Sequence, residues 1–214
     1  MFSFSLLLPT YLGSSVLWAY DPNTPHGHTG KFSPLQAPPS AIVLSTEQKV
    51  SLQKGEPVFQ RVRAANSDKG KGVAVQYIHA SADRVWDTIL NYPRYPDWVA
   101  NVTSSTVYRK EGENWYTALI SEVMFIEFGV YTHNRVRKEQ GYMFWTLDYS
   151  KRSDADDLLG YWRVEQIQDN PPLTRVDHAT ELLLTGVPDF LLEYLSQDAL
   201  LNGTKWVKRE AEKQ

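Results

Sequence analysis

The chain contains no cysteine. Disulfides, thiolate nucleophiles and cysteine-ligated zinc are therefore excluded. It also lacks an excess of charge: 22 Lys and Arg against 25 Asp and Glu leave a formal −3. No basic stripe interleaved with aromatics occurs, which argues against a nucleic-acid partner. Long apolar runs are missing too. The most apolar stretch, Met1 to Ala19, is broken by Pro9 and is too short and interrupted for a membrane span. There is no nucleophile elbow, no glycine-rich dinucleotide fingerprint and no zinc motif. Lys69-Gly70-Lys71-Gly72 lacks the spacing of a phosphate-binding loop and lies between two strand-like stretches, so it reads as a hairpin loop. Asp154, Asp156 and Asp157 lack calcium-loop spacing and read as a solvated turn.

What is present suits a globular protein. With 214 residues, 42% of them hydrophobic, the chain can bury a sizeable core as one domain with a tail, or at most two small ones. Seven Trp and twelve Tyr bring large apolar area with polar handles. They suit a filled core, which composition alone favours, or an aromatic-lined cavity.

Residues 1–19 have the apolar core of a signal peptide, and Ala19 suits a cleavage site. No Lys or Arg precedes Lys31, however, where a signal needs positive charge. Export to the periplasm or beyond, and a cytoplasmic chain with a disordered N-terminus, both remain open. Residues 20–44 carry five prolines between Pro22 and Pro39 and no apolar period, so they read as a linker. His26 and His28 have no carboxylate cluster nearby and read as solvated residues, not metal ligands.

The folded domain is expected over residues 45–214. Ser45 or Thr46 caps a short helix that ends near Gly55. Strand-like stretches follow at Pro57–Arg63 and Gly72–His79. Ser81 caps a helix whose apolar face holds Val85, Trp86, Ile89 and Leu90, and Pro93 and Pro96 turn the chain through an aromatic corner. Strands are then expected at about 102–110, 115–126, 128–139, 142–149, 158–168 and 174–184. In the last, Val176, His178, Thr180 and Leu182 share one face, while Arg175, Asp177 and Glu181 share an outer face expected to be wet. Residues 142–149 are apolar on both faces, which a dimer contact on the outer face would explain. Gly186-Val187-Pro188 opens a C-terminal amphipathic helix through Phe190, Leu191, Tyr194 and Leu195, with Gly203 as a weak point.

The segments Ala80-Ser81-Ala82-Asp83-Arg84-Val85-Trp86 and Asn91-Tyr92-Pro93-Arg94-Tyr95-Pro96-Asp97-Trp98 resemble the START-like (SRPBCC) helix-grip superfamily. That superfamily includes Bet v 1, polyketide cyclase/dehydrase and coenzyme Q-binding Coq10-type proteins. The resemblance spans about Gly55 to Lys213. It implies an α+β fold, with a curved antiparallel sheet around a long C-terminal helix and a hydrophobic cavity between them. It further implies a lipid, quinone or polyketide-like ligand.

On this reading Tyr95, Trp98, Trp145, Trp162 and Tyr194 supply aromatic lining, and Val130, Val164 and Leu191 supply aliphatic lining. Thr132, Asn134, His178 and Thr180 supply the few polar groups. No metal or cofactor is called for. The alternative is a cyclase/dehydratase-type enzyme using the same cavity, with His178 as acid/base. A third reading is transient contact with a membrane surface, to which the mixed charges from Lys205 to Glu212 lend little attraction.

Overall fold

The computed structural model describes residues 20–35, 40–62, 71–123, 125–185 and 199–213. The signal-like stretch, the loop around Lys69 and the entry of the C-terminal helix, including Leu191 and Tyr194, lie outside them.

Eight strands form one antiparallel sheet: β1 (Val58–Val62), β2 (Lys71–Ile78), β3 (Val102–Glu111), β4 (Asn114–Val123), β5 (Ile126–Arg137), β6 (Tyr142–Leu147), β7 (Asp157–Gln168) and β8 (Leu173–Leu183). Their spatial order is β1-β2-β8-β7-β6-β5-β4-β3, so a six-stranded meander closes on the N-terminal hairpin. Helix α1 (Thr46–Gln53) begins in a capping box, Ser45 exchanging hydrogen bonds with Gln48. Ser81 caps α2 (Ala82–Ile89) through the Arg84 amide. A 3-10 turn (Tyr92–Arg94) and the single-turn α3 (Tyr95–Trp98) make the corner, each with a proline in its first turn, where no amide hydrogen is needed. Helix α4 (Ala199–Ala211) packs on β2, β8 and α2. This is the α+β helix-grip arrangement.

The period-2 pattern assigns faces. Ile78, Val136, Met143, Trp145, Trp162, Val164 and Val176 point to the concave side and pack with Val85, Trp86 and Ile89 of α2 and Trp206 and Val207 of α4. Met143, Ile89 and Val207 are all essentially fully buried.

The opposite face was expected to be wet, and it is largely covered. Leu35, Ile42, Leu44 and Leu52 lie over Val73, Val75, Tyr142, Phe144, Tyr161 and Ala179. Described residues of the segment expected as a linker, Leu35, Ile42 and Leu44 among them, are thus laid along the back of the sheet. Asp177 is only 1% exposed, and Arg175 both pairs with it at 2.7 Å and donates to the Ile42 carbonyl at 3.0 Å. Burial pushes the Asp177 carboxyl above its ordinary value, although the Arg175 guanidinium pulls the other way. The two-sided apolarity of β6 has the same cause: Tyr142 and Phe144 meet the chain's own N-terminal segment, so no dimer contact is needed to explain it.

Asp157 secures that segment. Its carboxylate accepts from the amides of Lys31 at 2.5 Å and Phe32 at 2.7 Å, from the Tyr149 hydroxyl at 2.7 Å and from the Leu158 amide at 2.9 Å. Asp21 and Arg152 exchange backbone hydrogen bonds, and His26 Nε2 meets the Asp156 carbonyl at 3.1 Å. The turn expected to be solvated is therefore a latch, with Asp157 at 0% exposure.

Candidate ligand site on the concave face

The β4–β5 hairpin places Thr117 directly opposite Thr132, with Trp115 opposite Asn134 and Leu119 opposite Val130. All six side chains point to the concave side. At their centre lies a hydroxyl–amide cluster. Thr117 Oγ1 and Thr132 Oγ1 are 2.6 Å apart. Asn134 Nδ2 donates to Thr132 Oγ1 at 2.9 Å, and to Thr117 Oγ1 and the Trp115 carbonyl at 3.2 Å each. Thr117 and Asn134 are 2% and 3% exposed. Ser105, opposite Leu119 on β3, joins the same face as a diagonal neighbour of Thr117.

Apolar side chains border the cluster on both sides. Phe128, Val130 and Leu147 pack together, with Leu119, Leu158 and Leu182 against them. At the other end Trp115 reaches within 6.5 Å of the Tyr92 ring, and the Lys110 ammonium sits 3.6 Å from the Trp115 ring centre at the rim. Burial raises the Tyr92 and Tyr95 hydroxyls well above their ordinary values, so both stay neutral in any physiological buffer.

Thr132, Asn134 and Val130 are thus brought together. Trp145, Trp162, Val164 and His178 continue the same face toward α4 as a close-packed group, with Trp145 directly opposite Asn134. The His178 ring stacks on Trp162 with centroids 3.9 Å apart, and Trp145 lies 5.7 Å from it. Gly160 makes room for Trp145, since a Cβ there would fall 2.2 Å from the indole. Gly203, expected as a weak point of the helix, lets α4 pass over His178: a Cβ would approach the imidazole to 2.9 Å. Half-buried Thr180 sits across from Gly72 and Gly160.

Tyr95 packs its ring at 4.9 Å and 62° to Trp206, and its hydroxyl donates to the Ile89 carbonyl. Trp98 stands at the outer edge. It lies near-parallel to Trp206 at 6.2 Å with the Arg94 guanidinium 5.4 Å from its ring. It helps line an open groove of about 600 Å³ with Arg94, Asp97, Arg209, Glu210 and Lys213. The groove's cations are paired: Arg94 with Asp97, and Arg209 and Lys213 with Glu210.

Thr117, Ser105, Trp115 and Gly160 were not singled out from sequence. Thr117 was findable in principle. Centring the β4–β5 turn near Phe125 pairs it with Thr132, but that turn carries no Gly, Asn or Asp to mark it. The same register turns Glu122 and Glu127, opposite one another, to the outer face, where Tyr20 donates to Glu127. Among the described residues no group of three or more His, Asp or Glu is placed to hold a metal ion, and no helix is long and apolar enough to cross a membrane.

The family model for "polyketide cyclase / dehydrase and lipid transport" matches residues 78–201. The chain belongs to this family. None of the curated proteins matches the sequence. Among solved structures, the STAR-related lipid transfer protein of Xanthomonas axonopodis superposes with a TM-score of 0.57 at 13% identity, covering 73% of this chain and 94% of the other. The Zhui aromatase/cyclase of Streptomyces sp. R1128 gives 0.54 at 15% identity over 72% and 94%. Human StAR-related lipid transfer protein 5 gives 0.55 at 10% over 73% and 82%. At these identities the likeness carries the helix-grip fold and no more. The family description admits both carriers and catalysts, so the side chains of the site must be weighed on their own.

Proposed function

We propose that this protein binds a hydrophobic small molecule, of lipid, quinone or polyketide-like character, against the concave face of β3–β6. The observation that carries the reading is the Thr117–Thr132–Asn134 cluster, buried within a surround of Phe128, Val130, Leu119 and Leu147. A surface of that kind draws affinity from apolar burial, at about 25 cal/mol per Å² before the costs of association, and draws orientation from a few fixed polar groups. A catalytic reading would rest on His178 as proton carrier. Its ring is stacked on Trp162 and overlain by Gly203, a packing role that accounts for its place without chemistry.

The test is native mass spectrometry of the protein purified from its own host, followed by organic extraction. A stoichiometric apolar molecule supports the proposal. A homogeneous apo protein that also takes up no added lipid or quinone refutes it. In parallel, His178→Ala in a carrier keeps most of the ligand affinity, whereas an enzyme loses turnover.

A further inference from the structure

The polar cluster has unspent hydrogen-bonding capacity. Thr117 and Thr132 share one hydroxyl proton in the 2.6 Å contact between them, which leaves the other hydroxyl a proton to donate. Asn134 enters the network as a donor only, so its carbonyl oxygen can still accept. Ser105, 5% exposed, has its Oγ buried without a hydrogen-bond partner. An orphaned polar atom of this sort is costly and calls for an explanation. The cluster has no formal charge. Along the concave phase of β3–β8, the charged side chain among the described residues is Lys110, and it lies at the rim over Trp115. An ionised head group seated at the cluster would lose its water without a counter-charge, which disfavours it strongly.

Resting on the binding function proposed above, we infer that the ligand is a neutral amphiphile whose uncharged hydrogen-bonding group, a carbonyl or hydroxyl, seats between Ser105, Thr117, Thr132 and Asn134, and that free fatty acids and phosphate-headed lipids are rejected. Such a group matches what the cluster offers. A carbonyl takes the spare threonine proton and the Ser105 proton, while a hydroxyl also gives its own proton to Asn134 Oδ1.

The test uses the full chain and three probes of similar length: methyl undecyl ketone, dodecanoate and tridecane. Binding is followed by tryptophan fluorescence and native mass spectrometry near neutral pH. The ketone should bind at least about tenfold more tightly than dodecanoate, and dodecanoate should gain as pH falls and it becomes neutral. Ser105→Ala should weaken the ketone by about three- to tenfold, one hydrogen bond's worth, and leave tridecane unchanged. Thr132→Val should do the same and Thr132→Ser should not, which separates loss of the hydroxyl from loss of the fold.

Dodecanoate binding as tightly as the ketone overturns the neutral-head inference while the binding function stands. A ketone preference indifferent to Ser105→Ala and Thr132→Val overturns the assignment of the cluster. If no probe binds by either method, the inference falls, and the function it rests on falls with it only where the protein from its own host is apo and takes up no quinone either.

Discussion

Asp157→Asn tests whether the N-terminal segment is part of the fold. Four donors converge on this carboxylate, two on each oxygen: the Lys31 and Phe32 amides on one, the Tyr149 hydroxyl and the Leu158 amide on the other. Asparagine has the same shape but only one acceptor oxygen. Whichever way its amide turns, an NH₂ group faces at least one backbone N–H that cannot reverse its polarity. Hydrogen bonds to a charged acceptor contribute about 1.5–3 kcal/mol each, and an orphaned buried donor costs about 1–3 kcal/mol. The Tyr149 hydroxyl can rotate to accept, which recovers part of the loss. We expect a net destabilisation of about 3 kcal/mol, or roughly 6–12 °C in Tm for a chain of this size.

The loss should be local as well as global. Amide exchange at Lys31 and Phe32, and proteolysis within residues 20–35, should rise first. The effect must also depend on pH. Burial raises the Asp157 carboxyl, but the Tyr149 hydroxyl and the three amides outweigh it and hold the group below the ordinary carboxylate value. The wild-type advantage is therefore complete above the unfolded value of about 4 and is lost as pH falls through the lower folded value. Denaturant unfolding of both proteins across that range measures it. A variant within about 0.5 kcal/mol of wild type, or a gap that widens on acidification, would refute the latch.

Three further substitutions probe other parts of the fold. Gly160→Ala places a methyl 2.2 Å from the Trp145 indole and 2.5 Å from the Ala179 carbonyl, so urea unfolding should show a loss of about 2–4 kcal/mol. Near-wild-type stability would mean that Trp145 is free to move. Gly203→Ala should destabilise by about 1–2 kcal/mol although alanine is the better helix former by nearly 1 kcal/mol, because His178 cannot retreat from Trp162. A stabilised variant in thermal melts would contradict that packing. Phe125 is 96% exposed with φ of 67°, so Phe125→Gly should relieve left-handed strain and stabilise by up to about 1 kcal/mol. A lower Tm would refute it.

Local chemistry made much of this fold readable. The caps at Ser45 and Ser81, the prolines of the corner and the alternation of β5, β7 and β8 each act within a few residues, and the observed elements follow them closely. The faces were legible as well: Thr132 and Asn134 do share the inner phase with Val130 and Val136. The partners were not legible. Thr117 and Ser105 complete the cluster from neighbouring strands, and which residue stands opposite Thr132 depends on a turn with no distinctive residue. His178 could be assigned to the inner face but not to a role, because its stack on Trp162 and its contact with Gly203 join positions far apart in the chain.

The same division separates pattern from coverage. Period and capping are properties of the chain alone, so the sequence determined that an antiparallel sheet with two distinct faces would be accompanied by an amphipathic helix. What lies over each face is a property of assembly. The outward charges of β8 read as wet until residues 31–35 and 40–53 fold back across that face, where Arg175 reaches the Ile42 carbonyl and its partner Asp177 is buried. A carboxylate in an acidic turn reads as solvated until the Lys31 and Phe32 amides arrive from more than a hundred residues away. Only tertiary structure decided these, because desolvation depends on what packs nearby in space, and no local rule carries that distance.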